Sequence, residues 1–378
     1  MKRVLVGAAV GALWGWGCAI PHSMYEVAPA GSCPGTAAVA PGESDAGAPT
    51  LRWFRSEEAR DQSLGSAWCE TVGEPVVELA VDAGLPPWPQ EAPLAVVGWN
   101  IAIGGGDVLR FLDEHLHLKC LESGPEAGEG FGPFVLLLQE VYRRSDDLPF
   151  VEDSELIPWV IQPDEESGED LDIEELARRC GLSLVYVPSA RNGPDTGERP
   201  GEDKGNAILA SVPLSEPVAI DLPHEGGRKT AVAATVRSPE GRSVRVVTLH
   251  LDVASTLVRT LLTGNQTRVR QGSGVISALE ILDRSAPADA ATVVAGDFNT
   301  WAGKESILQH MRVAFPDSPP WDGQPTRGPF TTDHIFLRRA GPEAVEVERY
   351  DRIEDAFHSD HQARILLLRS PIPDPPVR

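Results

Sequence analysis

The sequence predicts a strand-rich α/β sandwich, because several short apolar runs end in polar residues. In one of them, Thr292–Ala295 is small or β-branched and leads directly into Gly296–Asn299. A continuous apolar run bounded by glycine predicts a buried strand of a two-layered sheet. Since side chains alternate along a strand, we expect Asp297 and Asn299 to share one face and Phe298 to lie on the other. An Asx-rich turn is the alternative, because Asp and Asn are common in turns.

Two more apolar strands and a helix are predicted in the first half of the chain. The run Leu94–Ile101 contains Asn100, and Phe134–Gln139 ends in Glu140. Between them, residues 107–118 carry apolar side chains at helical spacing, with Asp107 as the N-cap. Further along we expect an exposed acidic segment over 145–175, followed by a helix over 174–180 and a strand over 182–188. A polar loop over 191–204 comes next. Gly205 and Asn206 then precede a strand over 207–212.

The second half predicts a hairpin, a long helix and two last strands. Lys229–Arg237 and Ser243–Asp252 alternate as strands around a turn, and the second of them contains His250. Thr256–Arg284 has helical spacing that Gly272 and Gly274 interrupt. The last predicted strands cover 331–337, which includes Asp333, and 362–368, which follows Asp360 and His361.

Composition restricts the kind of partner that the protein can have. The chain has 378 residues, of which 42% are hydrophobic, and its formal net charge is -23. This length allows one large domain or two smaller ones. Affinity for nucleic acid depends on clustered Lys and Arg, so we expect no stable nucleic-acid complex. A metal site that turns over phosphate esters stays possible, because a bound cation reverses the local field.

The N-terminus predicts export to the cell envelope or secretion. A basic start precedes the apolar run Val4–Gly17, which is too short for a membrane-spanning helix and ends at Cys18. Gly17–Cys18 resembles a bacterial lipoprotein cleavage site, although Gly15 and Trp16 depart from the usual pattern, so Cys18 is a possible membrane tether. The predicted organisation is a signal over 1–18, a flexible tether over 19–50, a lead-in over 51–93, the main domain over 94–369 and a disordered tail over 370–378.

Cysteine usage agrees with export. Besides Cys18, the chain contains Cys33, Cys69, Cys120 and Cys180, which allow three pairings. None has metal-ligand spacing, so disulfides in an oxidising compartment are the favoured interpretation. The alternative is that Cys120 and Cys180 are buried thiols.

Polar residues follow or end six of the predicted strands, which predicts one pocket where these ends meet. Oxygen-rich ligands suit Mg²⁺, Mn²⁺ or Ca²⁺ better than zinc. Two histidines with acid partners suit proton transfer near neutral pH. Each residue alone has a structural alternative as a cap, a strand-end acid or a buried core histidine. Together they predict attack of water on a phosphate ester, and they are Asn100, Glu140, His250, Asp297, Asn299, Asp333, Asp360 and His361.

Seven short motifs over 94–368 resemble, in the same order, those of the endonuclease/exonuclease/phosphatase superfamily. They read WNI, LLLQE, GNAIL, TLHLD, VVAGDFN, TDHIF and SDH. That superfamily includes pancreatic-type deoxyribonucleases, exonuclease III-like repair enzymes, bacterial neutral sphingomyelinases and inositol polyphosphate 5-phosphatases. The resemblance implies a four-layered α/β sandwich, in which two mixed β-sheets pack face to face with helices outside.

The resemblance also implies roles for the residues in these motifs. Glu140 would bind a catalytic Mg²⁺, with Asn100 and Asp360 nearby. Asp297 would orient or deprotonate the attacking water, and Asn299 would hold a phosphate oxygen.

The remaining implied roles concern the two histidines and the substrate. His361, paired with Asp333, would stabilise charge on phosphorus or transfer a proton. His250 would contact the phosphate or protonate the leaving oxygen. Asn206 would lie on the substrate side of the site.

The function implied is that of a Mg²⁺-dependent hydrolase, a phosphodiesterase acting on extracellular nucleic acid or a phospholipid-type substrate. The absence of an acid at Ala102 and of the family's pocket tyrosine weighs against abasic-site repair. Two alternatives stay open: a phosphomonoesterase, and a catalytically silent surface lipoprotein that uses the sandwich as a binding module. The sequence leaves the oligomeric state open.

Overall fold

Strands outnumber helices in the computed structural model, which describes residues 22–27, 50–82, 84–89, 91–150, 172–193, 201–224, 227–253, 266–284, 290–341 and 344–369. The strands in these ranges are β1 Met24–Val27, β2 Arg52–Ser56, β3 Val76–Glu78, β4 Leu94–Asn100, β5 Leu118–Leu121, β6 Gly124–Ala127, β7 Phe134–Ser145, β8 Ser183–Arg191, β9 Gly201–Ala210, β10 Leu214–Asp221, β11 Thr230–Arg237, β12 Ser243–His250, β13 Ala291–Asp297, β14 Asp333–Arg339, β15 Glu346–Arg352 and β16 Arg364–Arg369. The helices are α1 Ala59–Cys69, α2 Val108–Leu116, α3 Ile173–Cys180, α4 Gln266–Asp283 and α5 Ser306–Ala314.

Two seven-stranded sheets form the centre of the fold. The first has the order β1-β2-β10-β11-β12-β13-β14 and the second the order β15-β16-β4-β7-β9-β8-β3. The first sheet contains two parallel pairs, β2 with β10 and β12 with β13, and the second contains one, β4 with β7, while the remaining pairs are antiparallel. Both sheets are therefore mixed, as the predicted fold class requires.

Three apolar layers separate the four structural layers. Between the sheets, Val96 and Leu137 of the second sheet pack with Val246 and Val293 of the first. Outside the first sheet, α4 and α5 bury side chains such as Leu279 against it. On the outer face of the second sheet, α2 and α3 do the same with residues that include Phe111, Leu112 and Leu176. Burial of each large aliphatic side chain contributes about 1.5–3 kcal/mol, and the predicted four-layered sandwich is confirmed.

A close approach of the two sheets fixes the position of β4 over β13. A Cβ atom on Gly98 would lie 2.9 Å from the Cβ of Ala295, nearer than real Cβ contacts allow. Glycine at this position lets the strand that ends at Asn100 sit directly over the strand that ends at Asp297.

Several predicted elements are confirmed with small changes at their ends. Strand β4 and the hairpin of β11 and β12 form as expected. Helix α2 begins after Asp107, whose side chain accepts a hydrogen bond from the Arg110 amide and caps the helix.

Three boundary predictions were wrong for identifiable reasons. Strand β7 does not end at Glu140 but runs to Ser145 through a bulge. Strand β9 starts at Gly201, so Asn206 lies inside the strand instead of opening it. Helix α4 passes Gly272 and Gly274 without a break, and Gly272 lies against α5, where an added Cβ would be 2.4 Å from Cδ1 of Ile307.

The N-terminal part of the chain is more integrated than expected. Strand β1 lies within the predicted tether and pairs with β2, so residues 22–27 are part of the sandwich. The lead-in supplies β2 to the first sheet and β3 to the second, so the described sheets show no division at residue 94. Strands β1, β2 and β3 are only three to five residues long and contain charged residues, so they carry no clear strand pattern. The predicted signal over 1–18, most of the tether, most of the acidic segment over 145–175, the first ten residues of the predicted helix over 256–284 and the tail over 370–378 lie outside the described residues.

Six further elements were not predicted from the sequence, namely α1, β5, β6, β10, β15 and α5. Strand β15 is mostly exposed and charged, which hides its pattern.

The cysteines agree with the disulfide interpretation. Cys120 and Cys180 are bonded, with Cα atoms 4.6 Å apart, and link β5 to α3. Cys69 is also disulfide-bonded. None of the helices in the described ranges is long and apolar enough to cross a membrane.

Candidate active site

Strand ends from both sheets meet at one edge of the sandwich. In the first sheet, His250 pairs with Asp297 and Asp297 pairs with Asp333, so the register places three ionisable residues in one row. From the second sheet, Nδ2 of Asn100 donates to Oδ2 of Asp297 at 3.1 Å. The strand ends therefore converge as the sequence predicts.

Asp297 lies at the centre of this row and is buried. Its Oδ1 accepts a hydrogen bond from the Asn299 amide at 2.7 Å. Its Oδ2 lies 3.6 Å from Nε2 of His250 and 3.7 Å from Nε2 of His361. Burial, followed by the negative charge of Asp333, raises the pKa of Asp297 to about 7. A carboxylate with this pKa is suited to accept a proton from water near neutral pH.

His361 is the cationic histidine of the site. Its Nδ1 lies 2.9 Å from Oδ2 of Asp333, and its backbone carbonyl accepts a hydrogen bond from the Trp99 indole at 3.1 Å. Burial alone would lower the pKa of His361, but the charge and hydrogen bond of Asp333 outweigh it and raise the pKa to about 9. Its Nε2 can therefore present a positive charge to an oxyanion.

His250 has the opposite electrostatic character. Burial, followed by the positive charge of Lys229, lowers the pKa of His250 well below its usual value. Its Nδ1 lies 3.7 Å from Oε1 of Glu140. The site thus contains one charged and one neutral imidazole, on either side of Asp297.

Glu140 reaches the site through a β-bulge. It has a φ of 53°, and the pairing of β7 with β9 shifts register between Leu138 and Val141. The preceding residue, Gln139, points into the sandwich, where its Nε2 donates to the Thr248 hydroxyl at 2.8 Å. Bulges are common beside active sites because they redirect a side chain. Here the bulge leaves the Glu140 side chain 29% exposed beside the row of catalytic candidates.

The two asparagines of the motifs have supporting contacts. Asn299 was expected to share the strand face of Asp297, but β13 ends at Asp297 and Asn299 has a φ of 50°. Its Nδ2 donates to the carbonyl of Leu251 at 2.7 Å, just beyond β12. Asn206 is buried, and its Nδ2 donates to the carbonyl of Thr230 at 2.6 Å. The phosphate contact of Asn299 and the substrate contact of Asn206 stay predictions.

Asp360 lies at the exposed rim of the site. Its Oδ2 is 2.5 Å from Arg327, and its Oδ1 is 3.7 Å from Nε2 of His361. Arg327, Lys204 and Lys229 are cations that the sequence analysis missed, and all three lower the pKa of His250. Lys204 directly precedes Gly205, the first residue of the GNAIL motif. The sequence alone does not distinguish a lysine that lies beside the site from a solvent-exposed lysine of a polar loop.

Two sets of residues are candidates for holding a divalent cation. In the tighter set, ligand atoms of Asp297, Asp333 and His361 lie within 4.8 Å of one another. His361 and Asp333 are already hydrogen-bonded to each other, so we assign them as an ion pair and not as an open ligand set. In the predicted set of Asn100, Glu140 and Asp360, the part-exposed Glu140 carboxylate has no ion pair closer than 3.7 Å within the described chain, whereas Asp360 is paired with Arg327 at 2.5 Å. Together the three residues of this set offer the oxygen donors that Mg²⁺ prefers.

The chain is similar in sequence to one family of known proteins. A sequence model of the Endonuclease/Exonuclease/phosphatase family matches residues 97–361. No curated protein matches the chain. Similar solved structures include an endonuclease/exonuclease/phosphatase from Beutenbergia cavernae, with 20% identity, a TM-score of 0.44 and coverage of 74% of this chain and 72% of that one. A family protein from Leptotrichia buccalis has 13% identity, a TM-score of 0.45 and coverage of 73% and 99%. A mannosyl-6-phosphatase from Bacteroides thetaiotaomicron has 13% identity, a TM-score of 0.40 and coverage of 73% and 99%.

Proposed function

The chain belongs to the endonuclease/exonuclease/phosphatase family, whose members are generally hydrolases of phosphate esters, and we propose that it is a metal-dependent phosphodiesterase. The observation that carries the proposal is the position of Asp297 between two imidazoles of different charge. Its Oδ2 lies 3.6 Å from His250 and 3.7 Å from His361. A base, a cation and a neutral hydrogen-bonding group around one point are what attack of water on phosphorus needs.

A divalent cation completes the proposed site. Glu140 would hold it, with Asn100 and Asp360 nearby, and the family is typically dependent on such ions. We propose Mg²⁺, with Mn²⁺ or Ca²⁺ as possible substitutes, because the donors are oxygens. When bound, the cation would neutralise phosphate charge and acidify a water molecule.

The protein groups supply the remaining chemistry. Asp297 accepts a proton from the attacking water, and the hydrogen bond from Asn100 holds its carboxylate in place. His361, kept charged by Asp333, stabilises the negative charge that develops on the phosphoryl oxygens. His250 donates a hydrogen bond from its neutral ring to the phosphate or to the leaving oxygen.

The substrate and location follow from features outside the site. The acidic chain and the signal-like N-terminus favour an enzyme that is exported and either tethered to the cell envelope through Cys18 or secreted. The disulfide between Cys120 and Cys180 supports an oxidising compartment. We therefore propose extracellular nucleic acid or a phospholipid-type ester as the substrate class.

A phosphomonoesterase is the second candidate, and the three rim cations favour it. Lys204, Lys229 and Arg327 would suit the additional negative charge of a terminal phosphate. Bis-p-nitrophenyl phosphate and p-nitrophenyl phosphate carry the same leaving group and separate these two activities.

The test compares hydrolysis of both compounds by the full chain, with Mg²⁺ and with EDTA, alongside plasmid DNA, RNA and sphingomyelin. The full chain is used because β1 begins at Met24 and belongs to the first sheet. We expect metal-dependent cleavage of the diester and of one natural substrate. Preference for the monoester would select the second candidate, and cleavage that EDTA leaves intact would contradict the proposal.

A further inference from the structure

A second group of ionisable side chains lies outside the active site, where the N-terminal segment crosses the start of α1. His22 precedes β1, Glu58 is the N-cap residue of α1, and Asp61 lies in its first turn. Nδ1 of His22 is 3.3 Å from Oε1 of Glu58, and Nε2 is 3.9 Å from Oδ2 of Asp61. One ligand atom from each residue lies within 4.8 Å of the others.

We propose that His22, Glu58 and Asp61 form a binding site for a divalent cation of the zinc class, which fastens the N-terminal strand to the domain. One imidazole and two carboxylates, completed by water, make a ligand set that zinc accepts. Two ligands of a tetrahedral ion at bond lengths of about 2.0–2.1 Å lie about 3.3–3.4 Å apart. The separation of 3.3 Å between His22 and Glu58 matches that edge of a tetrahedron.

An independent observation at Asp61 also points to a ligand. Its side chain is only 3% exposed, and its Oδ2 has no hydrogen-bond partner within the described chain. Its other oxygen, Oδ1, accepts a hydrogen bond from the His224 amide at 3.1 Å, which fixes the carboxylate. A buried carboxylate oxygen without a partner is costly, and a bound cation would satisfy it.

The surroundings orient the imidazole and set the charge. Nε2 of His22 bonds the Ser56 hydroxyl at 2.8 Å, which leaves Nδ1 facing Glu58. Such a partner fixes the ring and the tautomer of a metal-binding histidine. Glu57, Glu58 and Asp61 act on His22 with negative charge and Arg270 with positive charge, a net charge of -2 that a divalent cation would neutralise. Arg270 donates to Oε2 of Glu58 at 2.8 Å, and Oε1 of Glu58 faces His22.

A cation here would link two distant parts of the chain. Strand β1 lies at the edge of the first sheet and is only four residues long, so pairing with β2 gives it few hydrogen bonds. Because His22 lies directly before β1, its bond to the cation would hold β1 against the start of α1. The site does not require the proposed catalytic function.

The experiment uses the full chain carrying Glu140→Gln, which weakens the cation site of the active centre. The chain is stripped with a chelator and titrated with Zn²⁺, and Co²⁺ absorption reports ligand number and geometry. We expect one tightly bound equivalent that His22→Asn abolishes. His310→Asn is the matched control, because Nε2 of His310 also bonds a serine hydroxyl, that of Ser273 at 3.0 Å, but His310 forms no ion pair with a carboxylate among the described residues.

A second variant distinguishes loss of Zn²⁺ binding from misfolding. Ser56→Ala keeps all three ligands and removes the hydroxyl that orients the ring, so we expect Zn²⁺ affinity to fall about 10–100-fold. Circular dichroism verifies the fold of each variant. The proposal is wrong if the parent binds no Zn²⁺, or if His22→Asn binds it as tightly as His310→Asn does.

Discussion

Glu140 and Arg143 lie three residues apart on β7, yet they belong to two polar clusters of opposite character. Arg143 belongs to an anchor cluster, which we define as Arg143, Tyr186 and Asp203. Its guanidinium donates to Asp203 at 3.2 and 2.6 Å, and the Tyr186 hydroxyl donates to the same carboxylate at 2.8 Å. The Gly73 amide adds a fourth hydrogen bond to Asp203 at 2.9 Å.

The candidate active site uses similar residue types but leaves them incompletely paired. Oδ1 of Asp333 is buried without a hydrogen-bond partner in the described part of the chain. The pKa of Asp297 in the active site is raised. The Asp203 carboxylate of the anchor cluster, in contrast, accepts four hydrogen bonds. A saturated buried ion pair holds strands together, while an unsaturated one leaves groups available for a substrate and a cation. Substitutions should therefore affect stability at the first cluster and activity at the second.

The largest expected effect is on turnover. His361→Ala removes the cationic imidazole, and we expect kcat to fall about 10²–10⁴-fold. Steady-state kinetics on the preferred diester, with circular dichroism as the check on folding, measures it. A loss smaller than tenfold in a folded variant would remove His361 from the proposed mechanism.

The next effect concerns the anchor cluster. Asp203→Ala leaves the Arg143 guanidinium buried without its partner, so we expect the free energy of unfolding to fall by about 3–5 kcal/mol. Urea denaturation measures this loss, and activity per folded molecule should stay unchanged. Glu348→Ala, which removes an exposed ion pair with Arg369, is the control and should cost about 1 kcal/mol or less. Equal losses of unfolding free energy in the two variants would contradict the expected difference between a buried, fully hydrogen-bonded ion pair and an exposed one.

A third prediction uses a histidine with a structural role. His334 hydrogen-bonds the Thr300 hydroxyl at 2.8 Å, and burial, followed by the charge of Arg364, lowers its pKa to about 4. The unfolded chain binds this proton near pH 6.5, so the stabilisation is complete above pH 6.5 and is lost as the pH falls towards 4. Its size is on the order of 3 kcal/mol. Urea midpoints from pH 7 to pH 4.5 should fall less steeply in His334→Asn than in the parent, and parallel slopes would contradict the assignment.

The smallest effect is expected at the rim. Arg327→Gln removes a cation whose side chain is 46% exposed, so we expect KM to rise by less than about tenfold with little change in kcat. Arg349→Gln, at a 60% exposed side chain on β15, is the matched control and should leave KM unchanged. A fall in kcat without a change in KM would place Arg327 in the chemical step instead.

The sequence predicts the row of strand ends well because each strand is a strong local signal. Runs such as Leu94–Asn100 are buried on both faces, and their polar ends stand out against the apolar residues. The bulge at Glu140 carries no such signal, because it depends on the pairing of β7 with β9. Lys204 also escaped prediction, since its place beside the site depends on the partner strand. Strands β1 and β3 were missed because three or four residues fix too little pattern without their neighbours.

The most direct test of the central claim is the Mg²⁺ dependence of diester hydrolysis by Glu140→Gln. This change keeps the shape of the side chain and removes the charge that the proposed cation requires. Glu126→Gln, at the exposed position of β6, is the matched control. We predict that the control hydrolyses the diester with the Mg²⁺ dependence of the parent, while Glu140→Gln loses activity at the same Mg²⁺ concentration. Unchanged activity and Mg²⁺ dependence in Glu140→Gln would contradict the account.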